Sequence, residues 1–154
     1  MKYLLTLTVV VIYLYACKNT TSESSERKDG FTPILRTKED SLYHEVMQGH
    51  DIGMAKMSRL RKHIRHVQQA LDSIRKVPSK KMDKEHQQAL LDLQEDLNYA
   101  DLSMFTWMEE FKVDSAKTDT KKRLTYLESE KVKVEKVRDN ILNSLQRADS
   151  LLKN

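Results

Sequence analysis

Turn-forming residues are scarce in this chain: three Gly and two Pro among 154 residues. So few breakers exclude a turn-rich β fold and favour long helices. Aromatics are only 6% of the residues. The single cysteine, Cys17, excludes an intramolecular disulfide. Charge of one sign is lacking too. The 27 basic and 23 acidic residues interleave to a formal +4, an excess that calls for no nucleic-acid partner. Catalytic signatures are missing: there is no HExxH, no Gly-rich phosphate loop and no Ser-His-Asp set. Glu109 and Glu110 are neighbours, so on a helix they point in different directions and make a poor acid–base pair. The expectation is one domain, no enzymatic activity and no resident cofactor.

The one long apolar run is Tyr3 to Tyr15, after Lys2. It is shorter than the ~20 residues a spanning helix needs, so it reads as the apolar region of a secretory signal. Leu14-Tyr15-Ala16-Cys17 then resembles a bacterial lipobox. In such signals the cysteine thiol is acylated and cleavage leaves that cysteine first. Residues 1–16 are therefore expected to be a lipoprotein signal peptide. Cleavage there would leave 26 basic and 23 acidic residues, or +3. A diacylated Cys17 would hold the protein on a membrane by lipid alone. Residues 17–36 are polar and Ser/Thr-rich and read as a flexible tether. The implied location is the bacterial cell envelope, periplasm-facing or on the outer membrane, with neither leaflet singled out.

Residues 37–154 are strongly periodic and read as a three-helix bundle, with helices near 37–77, 79–113 and 118–153. Thr37 suits an N-cap, with Asp40 in the first turn. With Tyr43 as heptad position a, the first seam is Tyr43, Val46, His50, Gly53, Met57, Leu60, Ile64, Val67, Leu71 and Ile74. Pro78 stops this helix, and Ser79 can cap the next. The second seam runs His86, Leu90, Leu93, Leu97, Ala100, Met104, Trp107, Phe111. Residues 113–119 break it, and Thr118 or Asp119 can cap the third helix. The third seam is Leu124, Leu127, Lys131, Val134, Arg138, Ile141, Leu145, Ala148, Leu152, with Lys131 and Arg138 laying their stems on apolar surface. Short connections make neighbours antiparallel, which gives an all-α, up-down-up bundle of coiled-coil-like helices. The main alternative is a helical hairpin that completes its core by dimerising.

An antiparallel hairpin turning near residue 78 sets residues whose numbers sum to about 157 at one height. His50 then lies level with Trp107, Gly53 with Met104, and Met47 near Phe111, with Tyr126 at about that level. Met47, His50, Met54, Met57, Met104 and Met108 thus gather around Trp107. Thioether and imidazole ligands suit Cu(I). Methionine also fills irregular cores. Gly49 and Gly53 each cost about 1 kcal/mol in a helix relative to Ala, which points to close approach by the indole. His44 and Asp51 fall at heptad position b and are expected to face away from any such site. Arg59, Arg61, Lys62 and Arg65 form a basic face, which reads as solvated or as a contact for phosphates of lipid or polysaccharide.

Two stretches resemble a known family. His44-Glu45-Val46-Met47, followed by Met54, Lys56 and Leu60, resembles an H-[DE]-x-V-M…M-x-K-x-x-x-L pattern. Here Val46 follows Glu45 directly, so this pattern is loosely matched. Ala100-Asp101-Leu102-Ser103-Met104-Phe105-Thr106-Trp107-Met108-Glu109-Glu110-Phe111 is similar to A-[DN]-x-x-M-x-x-W-M-x-x-[FY]. Both belong to small helical lipoproteins of the Bacteroidota, often labelled "viral A-type inclusion protein". The resemblance covers about 70 residues of the hairpin plus the signal. It implies location and architecture, and no activity. The leading expectation is a lipid-anchored structural or protein-interaction module. Its partner would be an envelope protein, a cell-wall component or a second copy. The alternative is a periplasmic Cu(I)-binding or metal-sensing protein.

Overall fold

A computed structural model of the chain describes residues 35–76 and 84–153. Signal, Cys17 and most of the tether, together with Pro78 and Ser79, lie outside the described residues. The described chain is all helical: α1 (Lys38–Lys76), α2 (Lys84–Glu110) and α3 (Thr120–Leu151). Each helix packs on both others, so the core closes within one chain and needs no second copy. No helix among the described residues is long and apolar enough to cross a membrane.

Local sequence sets the helix ends. Thr37 Oγ1 accepts from Asp40 N at 3.0 Å, while Asp40 Oδ2 accepts from Thr37 N at 3.0 Å. That reciprocal pair satisfies two backbone donors at the start of α1. Asp119 caps α3 by accepting from Lys122 N at 3.1 Å. Between α2 and α3 the chain turns through Ala116, whose φ of 57° is left-handed without being glycine.

Ion pairs and one side-chain hydrogen bond report the helix directions. Arg123–Glu39 (2.9 Å) and Lys131–Glu45 (2.6 Å) run in step along α1 and α3, as does Arg59–Asp149, so those two helices are parallel. Arg61–Asp101 (2.9 Å) and Gln94–Gln68 (2.5 Å) run in opposite order, so α2 is antiparallel to α1. The topology is up-down-up.

The α2 seam is buried from Leu90 to Trp107, while His86 is exposed. The other two seams are rotated from their expected register. In the first half of α1 the buried positions are Leu42, Val46, Gly49 and Gly53, with Tyr43 and His50 half-buried. From Met57 onward the expected register holds at Met57, Leu60, Val67 and Leu71. Two successive four-residue steps, Gly49 to Gly53 to Met57, join the halves, and such a stutter locally unwinds a heptad seam. On α3 the buried set is Arg123, Leu127, Glu130, Val134, Val137, Ile141, Ser144, Leu145 and Ala148. Arg123, Glu130 and Val137 thus replace Leu124, Lys131 and Arg138, which are half-buried, and Ser144 is buried beside the expected Leu145.

Candidate functional site: the groove between α1 and α2

Rotation of the α1 seam decides what the glycines face. A Cβ on Gly49 would sit 2.9 Å from Val134 Cγ1. One on Gly53 would sit 2.5 Å from Met104 Cε and 3.3 Å from Ile141 Cδ1. Both glycines therefore admit core side chains of α2 and α3 rather than the Trp107 indole. The indole instead lies against the His50 ring, with centroids 5.7 Å apart.

Trp107 anchors an aromatic column. Phe111 stacks on it at 5.0 Å, and Tyr126 stacks on Phe111 at 6.1 Å, with Tyr43 at 6.5 Å from Phe111. Tyr126 Oη accepts from Lys112 N at 2.6 Å, which fixes the end of α2 against α3. Trp107 Nε1 donates to Glu130 Oε2 at 3.0 Å, and Lys133 Nζ donates to Glu130 Oε1 at 2.8 Å. Glu130 is 3% exposed, so both carboxylate oxygens are buried with a donor each. That partnership is what makes a buried acid tolerable, and it raises the Lys133 pKa through the hydrogen bond to Glu130. Arg123, equally buried, donates to Glu39 Oε1 at 2.9 Å and to Ser115 O at 3.0 Å.

The six expected ligands divide into two groups. Met57 and Met104 are 5% and 1% exposed and belong to the core. Met54 and Met108 are 40% and 45% exposed, and Met47 and His50 are half-buried. His50 Nδ1 lies 2.9 Å from Asp51 Oδ1. Asp51, expected to face away, thus reaches His50 along the helix surface. Among the described residues no three His, Cys, Asp or Glu side chains come together as a metal site.

The basic face is partly used up. Arg59 pairs with Asp149 and Arg61 with Asp101, so two of its four cations tie helices together. Lys62 and Arg65 are exposed and make no ion pair among the described residues. Nearby His63 is mostly buried, with Nε2 3.5 Å from Asp149 and Nδ1 without a partner. Burial pushes its imidazole pKa down, against the pull of Asp149.

A feature that the seams do not foretell is the outward face of α2. Tyr99, Leu102 and Phe105 are 54%, 61% and 56% exposed. Leu102 stands two residues from core positions Ala100 and Met104, and Phe105 two from core position Trp107, about 200° round the helix in each case. α2 carries one basic residue, Lys84, against seven acidic ones, so this apolar patch sits on an acidic helix. The sequence signal was available: Leu102 and Phe105 are large apolar residues off the seam.

No family model, curated protein or solved structure matches the chain.

Proposed function

We propose that the chain is a lipid-anchored helical protein of the bacterial envelope that acts as a structural or protein-interaction module. The observation that carries this reading is the outward face of α2. Core packing explains neither Leu102 nor Phe105, and contiguous exposed apolar surface rimmed by polar groups marks a contact surface. The anchor rests on Leu14-Tyr15-Ala16-Cys17, and the resemblance to small envelope lipoproteins fits the same location. The partner is an envelope protein, a cell-wall component or a second copy.

Expression of the full chain with its own leader tests the anchor. Mass spectrometry is expected to find diacylglycerol on Cys17, and Cys17→Ser is expected to leave the membrane fraction. A Cys17→Ser protein that stays with membranes would overturn the anchored reading.

A further inference from the structure

Packing accounts for Met57 and Met104, which are buried, but it does not account for the exposed Met54 and Met108. Their relative height is read from the Arg61–Asp101 ion pair, which bridges α1 and α2 at 2.9 Å. Met54 is seven residues before Arg61, and Met108 is seven residues after Asp101. Seven residues are two helical turns, which return each side chain to the same strip of its helix, about 10.5 Å along the axis. Because the helices are antiparallel, both displacements run the same way. Met54 and Met108 therefore stand at one height on the two rims of one groove.

His50 lies on that groove, one turn from Met54 at i, i+4 spacing, where side chains share a face. Its ring lies tilted near the Trp107 indole at 5.7 Å. Among the described residues, His63 Nδ1 is the one buried side-chain polar atom without a partner. His50 Nε2 has no hydrogen-bond partner among the described residues and is not among their buried unpartnered atoms, so it is open to solvent. Asp51 beside Nδ1 favours the tautomer with its proton on Nδ1 and the lone pair on Nε2. Ligating histidines use this carboxylate arrangement to fix the ring.

We propose that Met54, Met108 and His50 Nε2 form a Cu(I) site on the α1–α2 groove, with the Trp107 indole as its floor. Two thioethers and an imidazole are soft, neutral ligands that suit Cu(I) over harder divalent ions. The indole face adds attraction for a cation held within about 6 Å. No redox step is involved: the ion binds and leaves as Cu(I). The site is independent of the α2 contact surface, and either stands without the other.

The test is an anaerobic titration of the full chain with Cu(I) against a chromogenic Cu(I) chelator, with Trp107 emission followed in parallel. One equivalent of Cu(I) is expected to leave the chelator and quench the emission. Loss of a ligand should cost at least what loss of an outer-shell partner does, on the order of tenfold or more in affinity. Met54→Leu, Met108→Leu and His50→Gln should each show that loss with unchanged helical circular dichroism. Met57→Leu, a core change that keeps all three ligands, should bind as the parent does. The proposal is overturned by failure to compete with the chelator, or by equal affinity in the Met54→Leu/Met108→Leu double variant. An equal loss in Met57→Leu, or a titration that leaves Trp107 emission untouched, would also overturn it.

Discussion

Replacing Gly49 by alanine sets two known effects against each other. Alanine gains about 1 kcal/mol over glycine in a helix interior. Its methyl, however, would lie 2.9 Å from Val134 Cγ1, with Val134 Cγ2 at 3.6 Å and Val134 Cβ at 3.8 Å. Val134 is fully buried, and a β-branched side chain on a helix has essentially one favoured rotamer. Relief must come from separating α1 and α3, and overpacking a tight core costs roughly 1–3 kcal/mol. We expect Gly49→Ala to destabilise by about 1 kcal/mol net. Val134→Ala alone should cost about 2 kcal/mol from lost burial and the cavity. In the double variant the new methyl enters the vacated space, so the pair should couple favourably by about 1 kcal/mol or more. Gly53→Ala is the comparison. Its methyl meets the far end of Met104 at 2.5 Å, which can swing aside, so its cost should be smaller. The assay is urea denaturation followed by Trp107 emission and circular dichroism. A Gly49→Ala variant that gains the full helix-propensity benefit, with strictly additive behaviour beside Val134→Ala, would refute the close approach.

Three further perturbations concern the polar groups and the turn. Trp107→Phe strips the donor from a buried Glu130 oxygen, which should cost about 1–3 kcal/mol beyond the lost ring area, and Glu130→Leu/Trp107→Phe should recover part of it; circular dichroism melts check both. Ala116→Gly relieves a left-handed alanine and should stabilise by up to about 1 kcal/mol after the unfolded-state entropy of glycine is counted; a lower melting temperature would contradict the strained turn. His63 is pushed below its ordinary value by burial, with Asp149 opposing and Arg59, His66 and Lys62 adding to the depression. As pH falls below about 6.5, the unfolded chain takes up a proton that the folded one resists, so stability should decline from there down to the folded pKa and then level. His63→Phe should flatten the difference between urea midpoints at pH 7.5 and 5.5, and an unchanged slope would assign it elsewhere.

Much of the fold was legible because the α2 seam runs from Leu90 to Trp107 without a polar interruption, and the turn placed near Pro78 sets the height of His50 against Trp107, whose rings lie 5.7 Å apart. The helix ends were legible where caps are chemical, at Thr37 and Asp119. The α3 register was harder to read because its seam contains Arg123, Glu130 and Ser144, which pattern reading counts as surface. Those positions also alternate four and three with Leu127, Val134, Val137, Ile141 and Ala148. They are tolerable inside only because Glu39, Trp107, Lys133 and backbone oxygens partner them. The α1 stutter was hidden for a related reason. Glycine carries no hydropathy signal, so pattern reading passes over Gly49 as a seam residue although a Cβ there would lie 2.9 Å from Val134 Cγ1 of α3. Position sorts the methionines where residue type does not: Met57 and Met104 fall on the expected seams and are buried, while Met54 and Met108 fall beside them and are exposed.

Presentation of the outward face of α2 to a partner is the central claim. The most direct measurement is native-gel migration of the full chain, extracted in mild detergent from its own membranes, beside a Leu102→Glu/Phe105→Glu variant. The parent is predicted to migrate as a complex larger than the single chain. The variant is predicted to migrate as the single chain, with its helical circular dichroism unchanged. Identical migration of the two proteins would contradict the claim.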